Sequence, residues 1–434
     1  MVLAIVFMFL LPRRLAVVPL LLATFAIPLG QVVVIGGIHF TVLRIITIFG
    51  LIRWLALDRG SEMGGLAGGF NSIDRTFVLC AFSGAVSFTL LYLDAQALTN
   101  RLGFLLDAIG GYFLLRHLIR DDEDVRRVIR VFVVIAAIMA VCMVNERLTQ
   151  RNLFGLLGGT KPTPEVRDGQ IRANGVFQHS ILAGCFGGTL LPLFLVLWKE
   201  RGRKTAASLG LLSSTIIIAT CSASTALLAY AAGIVGLCFW PLRNRMRAFR
   251  WGLVSILVGL HLTMKAPVWA LIARIDLTGS SSGYHRYKLV DNFISHFGDW
   301  WLLGVKGYDD WGWDMWDLSN QYVAYGITGG LVTLVLFIIV ISQGFGRLGT
   351  ARRLVAGDHD SEWLLWCLAA ALFAHVVAYF GVSYFDQMQV AWYALLALVS
   401  AATTEAMHVQ SVVTPEVFTD PWSGGTTALP IPNL

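Results

Sequence analysis

The sequence predicts an all-α, polytopic membrane protein of about twelve transmembrane helices. It also predicts a large periplasmic loop that contains an amphipathic helix. Three observations carry this. Of the 434 residues, 56% are hydrophobic and only 14% charged, where soluble domains carry about 25% charge. The mean hydropathy is +0.68. Apolar runs near the length of a bilayer crossing, roughly 20 residues, recur along the chain. A soluble globular enzyme, a disordered chain and a nucleic-acid-binding domain are excluded as the main architecture. The net charge of +6 is what basic cytoplasmic loops add to a membrane protein.

The runs fall at about 2–11, 15–30, 38–57, 76–93, 102–119, 128–145, 175–198, 205–220, 223–240, 250–268, 322–342, 363–385 and 388–406. The first is too short to span and precedes Pro12-Arg13-Arg14; with no small-residue cleavage site after it, a removed signal peptide is not expected. The other twelve are read as spans of one membrane domain, residues 1–408. Placing Arg13 and Arg14 in the cytoplasm and alternating puts most of the 33 Lys and Arg residues in short inner connections. By the positive-inside rule both long loops, about 146–174 and 269–321, then face the periplasm. Residues 409–434, rich in Pro, Gly, Ser and Thr, are read as a flexible cytoplasmic tail. The six cysteines lie in or beside apolar segments with no CxxC spacing, so neither a disulfide framework nor a metal site is expected.

The second loop is rich in rings, including Trp300, Trp301, Trp311, Trp313 and Trp316. Such rings suit a membrane interface. At 100° per residue, 284–299 forms a helix with His285, Lys288, Asp291, Asn292, Ser295, His296 and Asp299 on one side. Tyr287, Val290, Phe293, Ile294 and Phe297 line the other. Arg286 falls among the apolar residues. A guanidinium there costs several kcal/mol unless it meets an anion or a wet cavity. Arg172, where the first loop meets the next span, is the second candidate. Two arginines from separate loops suit a doubly charged phosphate group through two-point hydrogen bonds.

Arg44 and Asp107 lie inside spans, either as functional charges or as a structural ion pair. His261 and His375 read as core histidines. The run Asp309-Asp310-Trp311-Gly312-Trp313-Asp314-Met315-Trp316-Asp317 alternates acids with rings. It lacks EF-hand spacing. It suits a sugar site in which a carboxylate acts as general base. No Walker A pattern, nucleophile elbow or HExxH is present, so an enzyme here needs a substrate that is already activated.

These residues also stand in a familiar order: Arg172-Ala-Asn-Gly-Val-Phe-Gln-His179-Ser-Ile-Leu-Ala183, Ser222-Ala223-Ser224, and Tyr284-His285-Arg286. Gly304 and Gly307 follow, then Ser319-Asn320-Gln321-Tyr322 and Tyr325-Gly326-Ile327-Thr328-Gly329-Gly330-Leu331. Over about 170–342 the chain resembles the O-antigen ligase and O-antigen polymerase superfamily of bacterial inner-membrane glycosyltransferases. The resemblance implies an undecaprenyl-pyrophosphate-linked glycan donor, and a glycan or lipid A-core acceptor. It implies neither metal nor other cofactor, and a site facing the periplasm. Arg172 and Arg286 match the family's pyrophosphate-binding arginines. Where ligases carry a histidine before the asparagine of the second motif, this chain has Ser319; the family's Ser-Arg turn is Ser224-Thr225. Ligase and polymerase therefore both stay open, as does exopolysaccharide synthesis. Asp317, His285 and Asp314 are the candidate bases, with His179, Ser319, Asn320 and Arg44 as further substrate-binding candidates. The rival readings are a transporter or flippase of a lipid-linked or anionic solute, which would place polar groups near the midplane, and a non-catalytic scaffold.

Overall fold

The computed structural model describes residues 1–35, 38–58, 65–167, 169–274, 282–312, 315 and 317–413. Helices α1 (Val2–Leu10) and α2 (Arg13–Ala26) lead into a hairpin of β1 (Val32–Ile35) and β2 (Ile38–Thr41). Then come α3 (Val42–Arg53), α4 (Ser72–Tyr92), α5 (Ala95–Leu105), α6 (Gly111–Leu118) and α7 (Asp122–Thr149). A second hairpin, β3 (Glu165–Arg167) and β4 (Gln170–Arg172), precedes α8 (Ser180–Phe194), α9 (Lys204–Cys221), α10 (Ser224–Cys238) and α11 (Met246–Thr263). The chain continues through α12 (Ser282–Ser295), α13 (Phe297–Trp300), α14 (Gln321–Leu354), α15 (His359–Ala378) and α16 (Gln387–Val413).

The protein is thus helical and membrane-embedded in composition. Among the described residues seven helices are long and apolar enough to cross a bilayer: α4, α7, α8 with its last turn, α9, α14, α15 and α16. A bent pair, α10 with Trp240–Thr263 at 72°, makes an eighth if it is one span. The twelve expected crossings divide accordingly. The runs at 223–240 and 250–268 form the bent pair. Those at 15–30, 38–57 and 102–119 are interrupted. Helix α2 has 14 residues and holds Pro19, α3 has 12 and passes into a π-helical turn over Trp54–Asp58, and a π turn over Leu106–Gly110 divides α5 from α6. π turns are the expected local causes of the last two breaks, whereas α2 runs on past Pro19 and stops at Ala26, two residues before Pro28. The tail expected at 409–434 begins as the last turn of α16, and residues from 414 on lie outside the described residues.

Helix starts follow the capping chemistry of short polar side chains. Asn71 and Asp74 form a reciprocal capping box on α4, and Asp94, Asp121, Asn320 and Asp358 accept backbone N–H bonds at the starts of α5, α7, α14 and α15. Asp74 does more. Its Oδ1 accepts from Tyr112 Oη at 2.6 Å and Arg116 Nε at 3.2 Å, and all three side chains are buried. This ion pair joins α4 to α6. Removing one partner of such a pair strands the other charge, at about 3–5 kcal/mol.

Helix α14 is not continuous. Gly330 has φ 73 and ψ −176, a backbone region that side chains other than hydrogen do not tolerate. The chain after α13 docks into this break. Leu331 N–H donates to Trp301 O at 2.8 Å, and Val305 N–H donates to Ile327 O at 2.9 Å. Gly304 (φ 94) and Gly330 permit the approach. A Cβ on Gly304 would lie 2.1 Å from Ile327 O, and one on Gly330 would lie 2.4 Å from Leu302 O.

The amphipathic helix expected at 284–299 forms as α12, but it ends at Ser295, before the short α13. Its apolar stripe meets protein as well as the surface. Arg286, Leu289 and Phe293, one turn apart, are buried, whereas Ile294 and Phe297 are exposed. Phe293 stacks on Trp300 at 3.9 Å. Trp300 Nε1 donates to Phe293 O at 2.7 Å, and both rings pack on Gly326 of α14. Leu289, Trp311, Met315, Val323 and Ile327 complete this second core.

Gly330→Ala is expected to lower stability by about 2 kcal/mol or more, from the disallowed backbone region and the carbonyl clash. Gly346→Ala, where a Cβ meets open space, serves as the control. Thermal unfolding of both in detergent checks this; equal midpoints for the two variants would show that the docked break carries no stability.

Candidate functional site

The loops and helix ends at one end of the bundle bring the sequence candidates together. The loop expected at about 146–174 starts later, since α7 runs to Thr149. Glu146, fully buried near the end of α7, accepts the N–H groups of Asn174 at 3.2 Å and Gly175 at 2.8 Å. The chain is therefore turned sharply into α8 by a carboxylate, and the β3–β4 hairpin is set directly before that turn. In the hairpin's register Glu165 pairs with Arg172, with Arg172 Nη1 3.6 Å from Glu165 Oε1. Arg172 is only 5% exposed. Its neighbour Ala173 donates from N–H to Thr220 O at 3.1 Å.

That bond reaches the elbow between α9 and α10. Ser222 turns the chain there in a left-handed conformation, φ 47, and Arg147 donates to Ala219 O at 2.8 Å and Ser222 Oγ at 3.0 Å. On the other arm of the elbow, Thr225 Oγ1 accepts from Arg286 Nη2 at 2.8 Å and donates to Gly381 O at 3.1 Å. Arg286 is 7% exposed. Arg286 by its own guanidinium, and the strand that carries Arg172 through the neighbouring Ala173 N–H, thus attach to residues 225 and 220 of one elbow, although the two arginines are 114 positions apart in sequence.

His179 caps α8, its Nδ1 accepting the Ile181 N–H at 3.2 Å. The neutral ring therefore carries its proton on Nε2, which lies 3.7 Å from Glu165 Oε2. Burial lowers the His179 pKa from its ordinary value, and the Arg172 and Lys161 charges push the same way; Glu165 and Asp317 oppose them. His285 Nε2 donates to the Asp317 carbonyl at 3.2 Å, which leaves the basic lone pair of a neutral His285 on Nδ1. The Asp317 side chain is exposed.

Other candidates stand apart or serve the backbone. Asn320 is buried and caps α14, accepting from Tyr322 and Val323 N–H at 2.9 and 3.2 Å, so its side-chain oxygen is committed to the helix. Ser319 is half-buried beside it, its N–H on Asp317 O. Arg44 makes a two-point contact with Asp107, at 3.1 and 2.7 Å, and also donates to His39 O at 2.6 Å. Of the two readings open for Arg44, the structure realises the ion pair. Asp314 lies outside the described residues, as do Trp313 and Trp316. His375 bonds Tyr384 Oη at 2.9 Å within the core. Among the described residues no group of three His, Cys, Asp or Glu side chains is placed to hold a metal ion.

Sequence reasoning missed Glu146, Glu165 and Asp386. Glu165 sat in a strand too short to show a pattern, and Thr225 was noticed only as standing in place of the Arg of the family's Ser-Arg turn. Asp386, between α15 and α16, adopts φ 51, and its Oδ2 accepts the Gln178 N–H at 3.3 Å, beside His179. Burial pushes its carboxyl up to about 6, with the Gln178 N–H offsetting part of the shift. No family model matches the chain, and neither does any curated protein.

The Asp386 shift has a pH signature. The folded state holds the proton more tightly than the unfolded chain, whose carboxyl titrates near 3.8. The stability this contributes is complete below 3.8 and is lost as pH rises to about 6. Asp386→Asn, which keeps the acceptor oxygen and tolerates the left-handed backbone, should raise the melting temperature more at pH 7.5 than at pH 4. An increment independent of pH would show that Asp386 titrates normally.

Proposed function

We propose that this protein transfers or polymerises a glycan carried on a polyprenyl pyrophosphate, at the periplasmic face of the bacterial inner membrane. The observation that supports the reading is a pair of nearly buried arginines on segments that both bond to one elbow, Arg286 directly and Arg172 through Ala173, with His179 and Glu165 beside Arg172 and His285 bonded to the Asp317 carbonyl. Two guanidinium groups from different segments suit the two charged groups of a pyrophosphate. The family resemblance assigns Arg172 and Arg286 that role. Twelve crossings and periplasmic loops belong to the same proposal and rest on the distribution of Lys and Arg.

The chemistry is inverting displacement. The acceptor hydroxyl oxygen forms a bond to the anomeric carbon as the bond from that carbon to the pyrophosphate oxygen breaks. Arg172 and Arg286 stabilise charge developing on the leaving pyrophosphate. The hydroxyl proton passes to a base, for which His285 Nδ1 and the Asp317 carboxylate are the described candidates. Glu165 lies 3.6 Å from Arg172 and 3.7 Å from His179, which holds both side chains in position. Since the donor is already activated, neither nucleotide nor metal is required.

Arg286→Ala and Arg172→Ala should each lower transfer by roughly 30-fold to several thousand-fold, the kinetic equivalent of about 2–5 kcal/mol for a buried charge-assisted contact. Arg286→Lys should recover only part of this, because an ammonium cannot make the planar two-point contact. The assay is transfer from a prenyl-pyrophosphate glycan in proteoliposomes, with monodispersity in detergent as the folding check. Near-wild-type transfer by both folded alanine variants would remove the arginines from the reaction. Chelator should leave transfer unchanged; abolition by chelator with rescue by calcium or magnesium counts against the mechanism. Cysteines introduced at Pro164 and Asp309 should label only from the periplasm, and cytoplasm-only labelling would overturn the orientation and the mechanism together.

A further inference from the structure

A third arginine reaches the elbow between α9 and α10. Arg147, in the last turn of α7, bonds to it with its own guanidinium. Its Nη1 donates to Ala219 O at 2.8 Å and to Ser222 Oγ at 3.0 Å. These residues flank Thr220, whose carbonyl takes the Ala173 N–H. The other end of the fork, Nη2, donates to Gln170 Oε1 at 3.4 Å. Side chains two positions apart share a face of a strand, so Gln170 and Arg172 leave β4 on the same side. Arg147 is therefore tied both to the elbow and to the face of β4 that carries Arg172.

Part of this is helix chemistry. The last carbonyls of a helix lack partners of their own, and a basic side chain is a suitable one. Arg147 serves α9 in that way. Its three contacts use only three of the five N–H groups of a guanidinium. The Nε–H and one Nη2 N–H bond to no described residue, and no carboxylate among the described residues lies within ion-pair distance. The neighbouring Glu146 turns elsewhere, its two oxygens accepting the Asn174 and Gly175 N–H groups. Arg172, by contrast, has Glu165 at 3.6 Å. Arg147 is half-buried, so part of its surface stays open.

The charge balance of the reaction gives a third cation a task; this step rests on the pyrophosphate reading above. Each phosphate of the donor is a diester and carries one negative charge. As the bond from the anomeric carbon breaks, its electron pair stays on the pyrophosphate oxygen, and the acceptor's hydroxyl proton goes to the base. The terminal phosphate becomes a monoester with a second ionisation near about 6, so one further negative charge appears at neutral pH. An interaction that strengthens only as the bond breaks speeds the step, whereas one made equally with the donor does not. We propose that Arg147 is a third cation of this site and meets the charge that appears on the leaving pyrophosphate, while Arg172 and Arg286 hold the charges the donor already carries.

The test compares two probes on the full chain in neutral detergent, with binding read by native mass spectrometry. Undecaprenyl pyrophosphate carries the additional charge; its terminal methyl ester, like the donor, does not. The wild type should bind the pyrophosphate more tightly. Arg147→Gln keeps an N–H for Ala219 O. It should weaken the pyrophosphate by roughly 10- to 100-fold, the scale of one hydrogen bond to a charged group, and the ester far less. Gln170→Glu, a change at an exposed position, gives Arg147 a carboxylate partner and should act in the same direction. In transfer, Arg147→Gln should lower kcat and leave the donor KM nearly unchanged. Arg172→Ala and Arg286→Ala should weaken both probes. Arg151→Gln, at an exposed cation just past α7, should change neither. Wild-type binding of both probes by Arg147→Gln, or equal loss of both, assigns Arg147 to the end of α9 alone and overturns the proposal. The pyrophosphate reading then still stands on the losses in Arg172→Ala and Arg286→Ala. Wild-type binding by those two variants removes that reading and this inference with it. Should Arg147→Gln fail to fold, Gln170→Glu decides: an unchanged preference for the pyrophosphate overturns the proposal.

Discussion

The arrangement of the loop end depends on one constraint, the unpaired backbone groups of a helix broken inside an apolar environment. At Gly330, α14 loses its own hydrogen-bond ladder, and a buried N–H or C=O without a partner costs more than most side-chain contacts return. The segment 301–305 supplies the missing partners, taking Leu331 N–H on Trp301 O and giving Val305 N–H to Ile327 O. Because the repair is made by backbone, it fixes the course of the chain. Trp300 and Phe293 then pack on Gly326, α12 is held against α14, and Arg286 is carried beneath the surface to Thr225.

A second constraint acts on the other side of the elbow. The turn into α8 exposes the N–H groups of Asn174 and Gly175 to a buried setting, and Glu146 satisfies both. A carboxylate is the economical choice there, since one group accepts two charge-assisted bonds. The β3–β4 hairpin preceding this turn places Arg172 beside α9, as the docked break places Arg286 beside α10. Two unrelated repairs of backbone polarity therefore bring the segments that carry the two cations to one elbow. The low dielectric around them makes them strong partners for an anion and costly to bury otherwise.

Elsewhere the polar side chains are largely consumed in holding helices together. Arg44 with Asp107, and Arg116 with Asp74 and Tyr112, each join two helices at points where the apolar packing alone is not directional. Arg101 departs from this pattern, because it stacks on Phe88 and has no carboxylate among the described residues.

Composition and periodicity by themselves determined that the chain is a helical membrane protein, where its long helices lie, and that Arg286 sits on the buried side of an amphipathic helix. These depend on local spacing and transfer energy, which a linear pattern carries. The interruption of the runs at 38–57 and 102–119 was not legible, since a π turn leaves the hydropathy unchanged; that of the run at 15–30 had its prolines, Pro19 and Pro28, in plain view. The buried stripe of α12 also differed in detail, because α14, rather than lipid alone, covers it. Glu165, Thr225 and Asp386 acquired their surroundings only from segments distant in sequence: a hairpin register, an elbow and an inter-helix loop. The pairing of Arg44 with Asp107 likewise emerged only in three dimensions. A side chain's hydropathy is its own property, but its partners depend on which backbone groups had to be satisfied nearby, and that is settled only when the whole chain packs.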